Sequence, residues 1–221
     1  MSRSSSSRGT RRPSEYATLQ PPLALKPHPH HAPVAIRGVT AQVLGLDAAW
    51  LRLRWRVDGA HALVLPPAAS ADRADGLWTT TCFEAFLRPD AQLAVGGNAY
   101  VELNLSPSGR WNAYDFTAYR DGMAPRASTR RPEVSMHDAG GNDDADARCD
   151  RVLVFEAAVA REALPPLPCS VALCAVLEER GGIKSYWALE HPPHVAPDFH
   201  AATCFTARLE SDRTTNPHDP P

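Results

Sequence analysis

Lysine is nearly missing from this chain: Lys26 and Lys184 stand alone, and every other basic side chain is arginine or histidine. The formal net charge is only -2, so neither sign is in the excess that attracts nucleic acid. No apolar run approaches the roughly 18 residues of a membrane-spanning helix, and neither nucleic acid nor a membrane is expected as a partner. A secretory signal is not expected either, because Pro21 and Pro22 interrupt the one leucine-containing stretch near the N-terminus. Cysteine occurs at positions 82, 149, 169, 174 and 204 but never as a CxxC pair. An odd count without metal spacing points to reduced thiols in a cytoplasmic setting. Four of them lie in apolar runs that read as core, and Cys149 lies in a polar loop. A GxSxG elbow, a glycine-rich phosphate loop, an HExxH helix and Cys/His zinc spacing are all missing, which excludes the common hydrolases and nucleotide enzymes built on them. Amphipathic helices are missing too, since Pro165 and Pro166 stop the short Arg161 to Leu164 stretch.

What is present is β-type sequence. With 221 residues and 43% hydrophobic content, one domain with a substantial core is the expectation. Residues 1–33 hold repeated prolines and no periodicity, so they read as a disordered tail, with His28, His30 and His31 in a flexible linker. Residues 34–210 read as the folded domain and 211–221 as a second disordered tail. Strands are expected at Val34 to Leu46, Trp50 to Val57 and His61 to Leu65. In the second of these, Leu51, Leu53, Trp55 and Val57 alternate with Arg52, Arg54 and Arg56, the pattern of a half-buried strand with a solvated arginine face. Residues 121–150 read as a mobile acidic loop carrying Asp138, Asp143, Asp144, Asp146 and Asp150. That density suits calcium, but the spacing is not that of an EF-hand. Further strands are expected at Arg151 to Val159, Ser170 to Glu178, Lys184 to Glu190 and Thr203 to Glu210. About ten strands with turn signals between them make the class all-β, a two-sheet antiparallel sandwich of jelly-roll or immunoglobulin-like form.

The chain is organised around Trp78 to Arg120, which holds three of these runs: Thr81 to Leu87, Ala99 to Leu105 and Trp111 to Phe116. The last two are joined by Ser106-Pro107-Ser108-Gly109-Arg110, a hairpin signal. Alternation sorts the side chains. Phe83, Ala85 and Leu87 share a face with Val101, Leu103 and Leu105, and that face should be core. The opposite face carries Cys82, Glu84, Phe86, Tyr100, Glu102 and Asn104, with Trp111 and Tyr114 placed beside them.

Two carboxyls on neighbouring strands, Glu84 and Glu102, are open to three uses. They accept ligand hydroxyls, pair with Arg88, Arg110 or Arg120, or perform acid–base chemistry on a glycosidic bond. Trp78, Trp111 and Trp187 offer faces for stacking on a pyranose, and each also suits a core. His191, His194, Asp198 and His200 form the best metal candidate, although their prolines place them in an irregular loop where a structural role is the simpler reading. Met123, Met136 and His137 are the side chains available as axial ligands to haem.

LWTTTCFEAFL, then YxExNxSPSGxWxxYxFxxYRDGM, and finally YWAL with PDFH and CF, resemble the bacterial DOMON-like domain proteins. These are similar to family-nine carbohydrate-binding modules. The resemblance covers roughly residues 34–209 and is most specific at the SPSG hairpin. It implies a β-sandwich that binds a ligand rather than a catalyst. It also implies a site drawn from Glu84, Glu102, Asn104, Trp111 and Trp187, to which the polar face adds Trp78 and Tyr114. The expected function is non-catalytic binding of a carbohydrate or related small polyol, with no cofactor. A haem-binding or redox DOMON-type domain and a hydrolase acting through Glu84 and Glu102 are the alternatives.

Overall fold

A computed structural model describes residues 21–128, 130–140, 151–193 and 196–211. Twelve strands dominate them. They are β1 (Leu23–Pro27), β2 (Gly38–Leu46), β3 (Trp50–Asp58), β4 (Cys82–Pro89), β5 (Tyr100–Leu105), β6 (Trp111–Phe116), β7 (Ala124–Pro125), β8 (Glu133–Gly140), β9 (Val152–Ala160), β10 (Cys169–Glu179), β11 (Ile183–Ala188) and β12 (Ala207–Leu209). One short helix, α1 (Asp90–Ala94), interrupts the β4–β5 connection. The fold is an all-β antiparallel sandwich, as the alternation implies.

The strands follow one path, β7-β6-β5-β4-β10-β11-β1-β2-β3-β9-β8, with β12 set against β10. β1 turns the path back on itself. Its residues Leu23, Ala24 and Leu25 pair with β2, while Lys26 and Pro27 pair with β11. Two layers result, and their facing side chains fill the main core. Phe83 of one layer stacks on Phe155 of the other, centroids 4.4 Å apart and 15° between planes, with Trp55 tilted against both.

In β3 the alternation holds position by position: Leu51, Leu53, Trp55 and Val57 are buried. The arginines between them meet carboxylates, Arg54 with Glu156 and Arg56 with Asp58. β4, β5 and β10 are buried on both faces, because something covers the outer side of their layer. The SPSG hairpin also forms as expected. Gly109 takes φ 93° and donates its N–H to the Ser106 carbonyl, while the Ser106 and Ser108 hydroxyls close the turn.

Several boundaries differ from the sequence expectation. Leu23–Pro27 is a strand and His28 is fully buried, so the ordered chain begins inside the expected tail. His28 donates its backbone N–H to Tyr186, and its ring sits edge-on to His191, so the contacts that order it come from far along the chain. Residues 34–37 precede β2 and are fastened by Glu179, whose carboxylate accepts the backbone N–H groups of Val34, Ala35 and Ile36. Gly59 lies against the same segment with φ 80°, and a Cβ there would meet the Ala35 carbonyl at 2.3 Å. The stretch His61 to Leu65 gives no strand: Ala60–Ala62 is a 3-10 turn, and Leu63 makes only an isolated bridge to Glu179. Within residues 121–150, β7 and β8 are strands rather than loop, and Asp138 of β8 holds Arg151. Asp143, Asp144, Asp146, Cys149 and Asp150 lie outside the described residues, as do both chain ends beyond 21 and 211. Cys82, Cys169, Cys174 and Cys204 are all buried thiols, as their apolar runs suggest.

Candidate functional site

The cover on the outer face of β4, β5, β6, β10 and β11 is the segment after β11. Its Phe199, Cys204 and Phe205 pack with Phe86, Tyr100, Tyr114, Phe116 and Val176 into a second, smaller core. The Cys204 thiol holds the segment together by donating to the carbonyls of Glu190 and Asp198. This cover stops short of the acidic centre of the face. What remains is a pocket of about 340 Å³ with Glu84 and Glu102 at its floor and Trp78, Phe116, Tyr186 and Phe199 around it.

The two carboxyls are placed by register. Glu84 pairs with Asn104 and Phe86 with Glu102, so the glutamates are diagonal neighbours on one face, within mutual reach. Only 3% of Glu84 and 6% of Glu102 is exposed. Burial first, and the neighbouring Glu102 second, push the Glu84 carboxyl well above its ordinary pKa. Its Oε1 is buried with no hydrogen-bond partner. Burial raises Glu102 as well, although the Asn104 amide donates to its Oε1 at 2.7 Å and Arg120 acts to lower it. Neither carboxyl is engaged by an arginine, so the Arg88, Arg110 or Arg120 pairing considered from sequence does not occur.

The pocket's other polar groups come from the covering segment and the loop after β6. The Tyr100 hydroxyl lies 2.6 Å from His200 Nδ1 and accepts the Arg120 N–H at 3.3 Å. The Tyr100 hydroxyl thus links the Arg120 backbone to the His200 ring. The other ring nitrogen, Nε2, lies 4.0 Å from Glu102 Oε2. Burial drops the His200 pKa to about 4, so the ring is neutral at pH 7 and the contact is not an ion pair. Asp198 fixes the rim, accepting hydrogen bonds from Arg120 and from the Tyr119 hydroxyl. Burial alone would raise its pKa, but these donors outweigh that and hold it below the usual carboxylate value. Arg120 reaches Asp198 from a left-handed backbone, φ 53°, a conformation that non-glycine residues adopt only when their surroundings hold them there.

The sequence-selected residues separate into two groups. Glu84, Glu102, Asn104, Trp78 and Tyr114 share the polar face. Trp78 sits on the Leu77–Thr79 3-10 turn, 39% exposed, edge-on to Tyr114. Tyr114 itself is buried, its hydroxyl held by Asp75 and Asn112, and it supports Trp78 from below. Trp111 and Trp187 are on the other face, which corrects the expectation that they join the site. Trp111 pairs with Leu105 and Trp187 with Ala175, both core positions, so pleating sends the two indoles into the main core. Arg73 covers the Trp111 ring at 4.2 Å, and Trp187 donates its indole N–H to Ser185.

The metal and haem candidates also disperse. His191 packs beside His28 and donates to the Lys26 carbonyl, His200 lines the pocket, Asp198 holds Arg120 and Tyr119 beside it, and His194 lies outside the described residues. Met123 is at the pocket mouth, whereas Met136 and His137 are on β8 in the other layer. Among the described residues, no group of three His, Cys, Asp or Glu side chains is placed to hold a metal ion. Sequence reasoning placed Tyr100 on this face but missed Tyr186 and Phe199 as pocket walls. For Tyr186 a signal was available, since it must face away from Trp187. Phe199 depends on where the covering segment lands.

No protein-family model and no curated protein matches the chain. Among solved structures, it is similar to a family-9 carbohydrate-binding module from Caldicellulosiruptor kristjanssonii, determined in complex with cellotriose. Identity is 13%, the TM-score is 0.45, and the match covers 90% of this chain and 89% of that one. A likeness at that level says nothing of the pocket residues.

Proposed function

We propose that this domain binds a carbohydrate or related small polyol, without catalysis, in the pocket over Glu84 and Glu102. The observation that carries the reading is the meeting of an aromatic wall and an acidic floor in one opening of about 340 Å³. Aromatic faces such as Trp78 and Tyr186 suit the C–H face of a sugar ring, and a few convergent polar groups fix its orientation. The Glu84 and Glu102 carboxyls and the His200 ring together offer both donors and acceptors to a pair of hydroxyls. The resemblance of the TTTCFEAFL and SPSG segments to DOMON-like domains supports a binder in the same sense.

Titration calorimetry against a panel of monosaccharides, disaccharides and linear polyols tests the reading. Millimolar or tighter binding by some member is expected, and silence across the panel overturns it. Trp78→Ala should weaken that binding at least about tenfold, an effect typical of a lost stacking platform. Because Trp78 is partly exposed, its removal should shift stability by only about 0.5 kcal/mol, which thermal melting checks.

One observation favours a second reading, glycosidic hydrolysis with Glu84 as acid: its proton is retained well above the ordinary carboxyl pKa. The side-by-side placement of both carboxyls on adjacent strands of one floor argues against it, because such enzymes flank the bond from two sides. Release of nitrophenol from nitrophenyl glycosides, abolished by Glu102→Gln, would reverse that preference.

A further inference from the structure

A second opening lies on the same face, separated from the first by His200. It has a volume of about 380 Å³ and is lined by Arg88, Asn98, Tyr100, Tyr119, Asp198 and His200. Arg88 belongs to β4, four residues beyond Glu84, so the two side chains are about 13 Å apart along the strand. His200 stands between them, packed edge-on to Phe86 at 5.1 Å.

The guanidinium of Arg88 differs from those of Arg54, Arg120 and Arg126, which each meet a carboxylate. Arg88 instead lies over the Phe205 ring at 4.6 Å, and its Nε is buried with no hydrogen-bond partner. Burial pulls its pKa down, the sign of a cation held without its counterion. Asp198, the one carboxylate lining the opening, is already engaged by Arg120 and Tyr119, and His200 is neutral. One positive charge is therefore left over in a partly desolvated hollow. An arginine fork in that setting matches the planar, two-oxygen geometry of a carboxylate.

We propose that this opening is an anion subsite in which Arg88 receives the carboxylate of an acidic saccharide whose other end occupies the Glu84/Glu102 pocket. The second half of that statement rests on the polyol reading above; the first half stands on Arg88 alone. The span from Glu84 to Arg88 exceeds one pyranose, so the ligand has more than one ring, and its charge is on the ring next to the one over Glu84.

The test is calorimetry on the full chain at neutral pH and low salt. Short oligogalacturonides are compared with neutral gluco-oligosaccharides of equal length, and inorganic sulfate serves as a bare anion. Acidic chains should bind at least about tenfold more tightly than neutral ones, the margin of a charge-assisted contact. Sulfate should compete with the acidic chains only. Arg88→Gln should erase the preference while leaving neutral binding intact, and Arg88→Lys, which keeps the charge without the fork, should restore it in part. Circular dichroism confirms that both variants are folded. Equal binding of acidic and neutral chains, unchanged in Arg88→Gln, overturns the subsite and leaves the polyol pocket standing. Sulfate binding that Arg88→Gln abolishes, with no saccharide bound, upholds the anion site and overturns the polyol pocket. Silence from all three ligands overturns both.

Discussion

Glu179→Ala is expected to lower stability by about 3–5 kcal/mol, one of the largest losses any single polar substitution in this protein should produce. Glu179 closes β10 and is 1% exposed. Its Oε2 accepts from Val34 at 2.7 Å, and its Oε1 from Ala35 at 2.6 Å and Ile36 at 3.3 Å. Alanine removes the acceptor and strands three backbone donors, each worth about 1–3 kcal/mol when left buried and unsatisfied. Water reaches the exposed Val34 end, which keeps the total below the sum. The melting temperature should fall by about 2–4 °C for each kcal/mol lost. Glu179→Gln retains an oxygen acceptor and should lose only about 1–2 kcal/mol. A chemical-denaturation midpoint for the alanine variant within about 0.5 kcal/mol of the parent would show that residues 34–36 are held by something else.

Glu84→Gln should act in the opposite direction. The folded chain keeps the Glu84 proton at pH values where the unfolded chain, with an ordinary carboxyl near 4.5, has released it. Above that value the folded state binds more protons than the unfolded state, so this group's contribution to stability falls as pH rises, until the folded pKa is passed. Each pH unit in that window costs about 1.4 kcal/mol. Glu102 is raised too and adds in the same sense. His200 works against this trend. Its folded pKa of about 4 lies below the ordinary 6.5, so it weakens the fold as pH falls through that interval. Comparing the variant with its parent cancels His200. At about pH 8 Glu84→Gln should be more stable by at least about 1 kcal/mol, because an amide neither takes up a proton on folding nor carries a charge to desolvate. Well below pH 4.5, where Glu84 is protonated in both states, the gap should close. Melting curves of the pair across this range check it, and a gap that is flat with pH or reversed in sign removes the buried-charge account. A carboxyl that weakens the fold while facing a pocket is what a site arranged for a ligand, and not for stability, contains.

Local pattern fixed much of this architecture. Alternation alone assigned Phe83 and Leu103 inward and Glu84 and Glu102 outward, because strand periodicity depends only on sequence neighbours. The same count, carried through the SPSG turn, places Trp111 opposite Leu105 and therefore inward; its size and its sugar-stacking chemistry outweighed the register. Trp187 could not be placed that way, since its face follows from pairing with β10 across the Gly181–Gly182 turn, and β10 is apolar on both sides. Nothing near His28 signals a buried residue. Besides His30 and His31, it meets His191 and Tyr186, more than 150 positions away. The pocket walls share that origin, because Phe199 and His200 reach the acidic face only once the final segment folds over it. What the sequence hid was consistently the product of distant segments meeting.

The crossing of β1 between layers has a consequence for how copies of this molecule meet one another. Two separate sheets would each end in two open borders; among the described residues the folded ribbon ends at β7 and β8, with the three-residue β12 beside β10 as a further short edge. β7 is two residues long and contains Pro125, which gives an incoming chain almost nothing to extend. β8 is longer, but Glu133, His137 and Asp138 are exposed along it, and such ionisable groups discourage edge-to-edge growth. The same splice that orders the N-terminal stretch thus joins borders that would otherwise invite aggregation.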